Sequence, residues 1–155
     1  MKPQSILFAV LSFGLLHGAW AGPLVASKAW VRPTMPGQTV AAAYMDLTAQ
    51  EPATLVAVHS PVSSKVEIHF MQMDGDVMRM RALKQLDLPK NTPVSLSPGG
   101  YHLMLTRLKK PIQAGDVVPL TLVIKTKQRR ERVTVNATAQ ASTPDEAGSH
   151  EHSHH

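Results

Sequence analysis

Short runs of alternating apolar and polar residues recur along this chain, and they are separated by proline, glycine and aspartate. Their spacing of roughly 8–12 residues is typical of β-sandwiches and β-barrels, whereas helical periodicity is almost absent. A tight turn needs a positive φ, which glycine adopts freely, so Asp74-Gly75 between two such runs is the strongest hairpin signal. An all-β domain is therefore predicted, with strands near residues 24–32, 39–48, 53–59, 64–72, 77–83, 93–97, 101–107, 117–126 and 131–137.

The first residues have the pattern of an export signal. Lys2 supplies a positive charge, an apolar run continues to Leu16, and Ala19-Trp20-Ala21 matches the small-x-small sequence at which signal peptidases cleave. The apolar run is too short to span a membrane. We therefore expect a signal peptide over residues 1–21 and a periplasmic mature protein without a membrane span. A buried N-terminal helix is the alternative.

The chain changes character after about Thr138. Residues 139–149 are small, polar and acidic, and such a composition cannot bury enough apolar surface to become ordered. A folded domain over residues 22–138 and a flexible tail over 139–155 are therefore predicted. A short His-rich tract is a metal-binding composition that suits Cu(II) or Zn(II), with part of a purification tag as the alternative. The tail histidines are His150, His152, His154 and His155.

The chain contains no cysteine, so disulfides, thiol catalysis and the thiolate-ligated copper of electron-transfer cupredoxins are all excluded. It also shows no catalytic triad, carboxylate pair or open three-histidine site, which argues against an enzyme. The formal net charge is +5. Much of the excess lies near the C-terminal end of the domain, at Lys125, Lys127, Arg129, Arg130 and Arg132. We interpret this basic cluster as a solvated face, with docking of an acidic partner as the alternative and nucleic acid excluded by export.

Histidine and methionine are concentrated between residues 69 and 104. Alternation along a strand places His69 and Met71 on the face opposite Ile68, and His102 and Met104 on the face opposite Leu103. Imidazole and thioether without thiolate are the donors that a soft ion prefers, above all Cu(I). Other residues of the two types have ordinary structural interpretations. Met35, Met45 and Met73 are predicted to fill the core, His59 is predicted to lie at the surface, and Met78 is not needed for a site.

The spacing of four of these residues resembles the signature of periplasmic copper chaperones of the PCuAC type. Ten residues separate His69 from Met80, twenty-one separate Met80 from His102, and Met104 follows after one more. Flanking segments also resemble that family, so the likeness extends over roughly residues 24–137. These segments are Trp30-Val-Arg32-Pro, Pro36 to Tyr44, Pro98 to Leu105, and Leu108 to Pro111 with Gly115-Asp116.

The resemblance implies a cupredoxin-like Greek-key β-barrel that binds Cu(I) through His69, Met80, His102 and Met104, with Met71 as an auxiliary ligand. Family members are associated with copper delivery to cytochrome c oxidase, especially the CuA centre in subunit II, often alongside a thiol-containing partner chaperone. Some carry a C-terminal extension that binds Cu(II). We therefore expect a non-enzymatic copper carrier, and copper sequestration for tolerance is the alternative.

Overall fold

The computed structural model describes residues 22–141, which form ten β-strands and contain no helix. Nine of the strands were predicted from the sequence. The tenth, β6, is only three residues long and was missed. The strands are β1 Leu24–Val31, β2 Val40–Ala49, β3 Ala53–His59, β4 Ser63–Asp74, β5 Val77–Leu83, β6 Leu86–Leu88, β7 Val94–Leu96, β8 Tyr101–Leu108, β9 Val117–Lys125 and β10 Arg130–Ala139.

Seven of these strands close into a barrel, in the order β4, β8, β2, β1, β10, β9, β3. The ring closes where β3 returns to β4, with Val58 opposite Val66. Strand β1 runs parallel to β10, while the other neighbours in the ring are antiparallel. Strand β7 pairs with β2 and β8, and β6 extends the sheet beside β3. Closure leaves the interior lined by one face of each strand.

Alternation along the strands creates the core, as predicted. In β9, for example, Val118, Leu120, Leu122 and Ile124 are buried against the other strands. Met45 on β2 belongs to this core, which confirms its prediction as a core filler.

The same prediction is wrong for Met35 and Met73. Met35 is 72% exposed because it lies in the loop that links β1 to β2. Met73 is 57% exposed because it lies on β4 beyond the barrel. His59 is exposed, as predicted. The five residues of the basic cluster are exposed as well, which fits a solvated face, and Arg129 forms an ion pair with Glu131.

Strand β4 is twelve residues long and takes part in two structures. Its first half belongs to the barrel wall, where it pairs with β8 as far as Phe70 opposite Tyr101. Its second half continues beyond that pair and forms a hairpin with β5. Asp74 and Val77 close the hairpin, and Gly75 at the first turn position has a φ of +63°, as a two-residue turn of this kind requires. The predicted hairpin is therefore present and projects from one end of the barrel.

Strand β10 ends at Ala139, one residue past the predicted end of the domain. Ala139 is buried, and its N–H donates to Asp116 O at 2.8 Å. The predicted signal peptide and the four tail histidines lie outside the described residues, so both remain predictions, as do the domain boundaries. Among residues 22–141 there is no helix with the length and apolar character needed to cross a membrane.

Candidate metal centre

Strands β4, β5 and β8 bring the predicted ligands to one face of the sheet. His69 on β4 lies directly opposite His102 on β8. Met104 is opposite Glu67 and Met80 is opposite Met71, so each of these two methionines occupies a diagonal position relative to His69. Diagonal cross-strand neighbours are within reach of long side chains. The register thus arranges the other three predicted ligands around His69.

The two imidazole rings face each other edge to face. Their centroids are 5.6 Å apart, with an angle of 68° between the ring planes. The His69 side chain is only 14% exposed, and neither Nδ1 nor Nε2 has a hydrogen-bond partner. Its closest carboxylate oxygen, Glu67 Oε2, is 3.7 Å from Nε2, which is too far for a hydrogen bond. Buried polar groups are normally satisfied, so two orphaned ring nitrogens indicate a ligand that this ring is arranged to bind.

His102 is only 4% exposed, so this part of the candidate site is buried. The side chain does point away from Leu103, as alternation predicted, but a second layer of aromatic rings covers it. The Tyr44 ring centroid lies 6.4 Å from that of His102, and Trp30 packs on Tyr44 at 4.5 Å. A one-residue bulge in β1 between Ser27 and Trp30 sets the register that places Trp30 opposite Tyr44.

Backbone contacts fix the orientation of the His102 ring. Gly100 O lies 3.2 Å from His102 Nδ1 and also accepts a hydrogen bond from Met71 N at 3.2 Å. When Nδ1–H donates to this carbonyl, the lone pair of Nε2 is left available as a ligand, the arrangement usual for metal-binding histidines. Burial lowers the pKa of His102, the Gly100 hydrogen bond opposes this effect, and the charge of His69 adds to it. The ring is therefore held in the neutral form that binds metals.

The methionines differ in accessibility. Met104 and Met71 are half-buried, whereas Met80 is 48% exposed. Among residues 22–141, no three His, Asp or Glu side chains come together as a metal-binding group. The soft donors on this face are therefore two imidazoles with adjacent thioethers, a set that favours Cu(I) over harder ions such as Mg²⁺.

Glu67 is a feature of the site that the sequence did not reveal. Alternation placed it on the face of His69, but no carboxylate was expected to contribute. Lys65 Nζ lies 2.7 Å from Glu67 Oε1, and this hydrogen bond lowers the pKa of Glu67, with a smaller electrostatic contribution from His69. An ionised carboxylate, paired with Lys65, is therefore held beside His69. Its position two residues before His69 was the available signal.

Comparison with known proteins identifies the family. Residues 24–139 match the family described as "Putative lipoprotein LpqE-like". The chain belongs to the LpqE-like family. One relative, "Putative lipoprotein Lxx21020" of Leifsonia xyli subsp. xyli (strain CTCB07), is 31% identical over 106 residues, which cover 68% of this chain. The matched region spans 64% of that relative, so this LpqE-like chain corresponds to about two thirds of its length.

Solved structures of PCuAC domains share the fold of this LpqE-like protein. The copper-bound PCuAC domain from PmoF2 is 26% identical with a TM-score of 0.62, covering 78% of this chain and 95% of its own. The Cu(I) form of DR1885 from Deinococcus radiodurans is 29% identical with a TM-score of 0.62, covering 81% and 83%. The predicted cupredoxin-like barrel and the resemblance to the PCuAC type are thereby confirmed.

Proposed function

We propose that this LpqE-like protein is an exported, non-enzymatic copper carrier. It holds Cu(I) through His69, Met80, His102 and Met104, and releases the ion by ligand exchange to an apo acceptor. Related chains support the two halves of this proposal. Copper occupies the similar domains of PmoF2 and DR1885, and the relative from Leifsonia xyli is named a lipoprotein, a class of exported protein.

The observation that carries the proposal is the pair of facing imidazoles at the base of the hairpin. His69 has no hydrogen-bond partner for either ring nitrogen, and the ring of His102 is oriented by the contact of Nδ1 with Gly100 O. The His69 ring thus lacks partners at the place where a metal would supply one. Thioethers on both diagonals complete a soft donor set.

The charge of the site also suits Cu(I). Neutral imidazoles and thioethers leave the ion with its charge of +1. The Glu67 carboxylate lies beside His69 but is already paired with Lys65, so it balances that charge only in part. A divalent ion would bring twice that charge into a largely buried site, which is costly in a medium of low dielectric. The site therefore favours the monovalent ion.

The choice of acceptor in this proposal rests on the resemblance alone. We propose delivery to the CuA centre of cytochrome c oxidase subunit II, with a thiol-containing chaperone as an additional partner. The largely buried position of His69 and His102 suits transfer between proteins, because bulk solvent reaches the ion poorly while a docked acceptor can approach from the hairpin side.

The ligand set is tested by an anaerobic titration in which a chromophoric Cu(I) chelator competes with the protein. Changes in the surroundings of a metal ligand cost about 10–100-fold in affinity, so loss of two ligands in Met80→Leu/Met104→Leu should weaken binding by at least about 100-fold. Met35→Leu is the matched control, since Met35 is exposed in a loop away from the site. Equal affinity in the double variant and the control would refute the assignment.

The second candidate function is copper sequestration for tolerance, and the His-rich C-terminal sequence favours it. We propose that His150, His152, His154 and His155 bind Cu(II). A strain without the gene separates the functions: a carrier's loss lowers oxidase activity and leaves copper tolerance intact, whereas a buffer's loss raises copper sensitivity. Expression of a chain truncated after Gln140 should restore oxidase activity if the barrel alone is the carrier.

A further inference from the structure

The hairpin beyond the barrel carries four methionines in two directly opposed pairs. Met71 lies opposite Met80, and Met73 lies opposite Met78 nearer to the turn. Residues that oppose each other on an antiparallel pair have Cβ atoms about 4.5–5.5 Å apart, and all four side chains emerge on the face of His69. The flexible methionine side chain can adjust its sulfur position over several ångströms. A row of thioethers therefore leads from the turn to the imidazole pair.

Packing does not account for the outer pair. Met73 is 57% exposed and Met78 is 47% exposed, so neither fills the core. The positive charges of the hairpin point elsewhere: Arg79 and Arg81 alternate onto the opposite face, and Arg79 Nε is bound to Asp74 Oδ2 at 2.8 Å. The outer end of the methionine face thus exposes neutral, soft donors to solvent.

Exposed donors of this kind are useful because the imidazole pair itself is poorly accessible. His102 is covered by aromatic rings, and His69 is nearly buried, so an approaching protein cannot place a ligand directly on either ring. The hairpin is the exposed part of the same face and lies beside His69.

We propose that Met71, Met73 and Met78 form a second Cu(I) site, composed of thioethers alone, at the outer end of the hairpin. This inference rests on the proposed function and names the position at which the ion is received and handed over. Met80 lies between the two sites, so an ion moving inward exchanges one thioether for another before it reaches the imidazoles. The outer site binds more weakly than the inner one, because it lacks imidazole and is open to water.

The proposal is tested on the full mature chain under anaerobic, reducing conditions, with Cu(I) supplied through two chelators of different strength. The wild type is expected to bind a tight ion and a weaker one. The ε-methyl carbon resonances of Met73 and Met78 should shift only as the weaker ion binds. Met73→Leu/Met78→Leu should retain the tight ion with unchanged affinity, lose the weaker one, and load the tight site about tenfold more slowly. Met35→Leu is the control for loss of an exposed methionine.

The outcomes separate this inference from the proposed function. If the wild type binds the tight ion and the methyl resonances of Met73 and Met78 do not move at higher Cu(I), the outer site does not exist while the carrier function stands. If no tight ion is bound at all, the carrier function itself fails. Because the methyl resonances are recorded on the wild type, Cu(I) bound by the tail histidines cannot be mistaken for the outer site.

Discussion

Replacement of His69 by leucine should make the metal-free protein more stable. A neutral imidazole has one N–H donor and one acceptor nitrogen, and in this structure both are buried without a partner. An unsatisfied buried polar group costs about 1–3 kcal/mol. Leucine of similar size removes both groups but fits a planar cavity imperfectly, so we expect a net gain of about 1–3 kcal/mol in the free energy of unfolding.

The gain is measured by urea unfolding of the metal-free protein and by thermal denaturation. For a domain of this size, 1 kcal/mol corresponds to about 3–5 °C in Tm. His59→Leu is the matched control, because His59 is exposed and its replacement should change stability by no more than about 0.5 kcal/mol.

Addition of Cu(I) should reverse the order of stability. A ligand present at 100 times its dissociation constant stabilises the folded state by about 2.7 kcal/mol. The wild type should gain this amount, whereas His69→Leu should gain little because a ligand is missing. A metal-free His69→Leu protein that is less stable than wild type by 1 kcal/mol or more would show that the ring nitrogens have partners after all, and the reasoning would be wrong.

Three further predictions concern the neighbourhood of the site. Because the folded state lowers the pKa of His102, the unfolded state takes up the proton first, so metal-free stability should fall as pH drops below about 6.5. In the His102→Gln variant, the urea midpoint should lose this part of its pH dependence. The lowered pKa of Glu67 produces a separate loss of stability, which begins only below the usual value of 4.5. Gly75→Ala places a side chain at a φ of +63° and should cost about 1 kcal/mol by urea unfolding, with weaker Cu(I) binding if the hairpin frays. Leu103→Ala, at a fully buried position behind the site, should cost about 2–5 kcal/mol yet leave the Cu(I) stoichiometry of the folded fraction unchanged.

The barrel was largely predictable because alternation is a local property of a strand. Val118, Leu120 and Leu122 face inward in every other position, and the sequence alone shows that pattern. Strand β6 was missed because only two residues, neither of them proline or glycine, separate it from β5, so the sequence shows no break between the two strands. Met73 was wrongly predicted to fill the core because a lone methionine usually does so. Only the pairing with β5 reveals that β4 continues beyond the barrel, where Met73 lies outside the core.

The site was predictable in its residue types and less so in its environment. Alternation placed His102 on the correct side of β8, but the rings that bury it come from β1 and β2, which are distant in sequence. The unsatisfied nitrogens of His69 depend on the cross-strand register with β8, which no single strand encodes. The spacing of the ligands was nevertheless informative. It resembles the spacing in a known family, and that spacing reflects the cross-strand register of the folded domain.

The stack of Trp30 on Tyr44 beside His102 gives the protein an internal optical probe. Its other tryptophan, Trp20, lies in the predicted signal peptide, so in the mature chain the indole emission would come from Trp30 alone. Two ring contacts, at 4.5 Å and 6.4 Å, join that indole to the imidazole. Arrival of copper at His102, or its oxidation there, would therefore be visible as quenching of a single fluorophore. Transfer to an acceptor could then be followed in real time without any label on either protein.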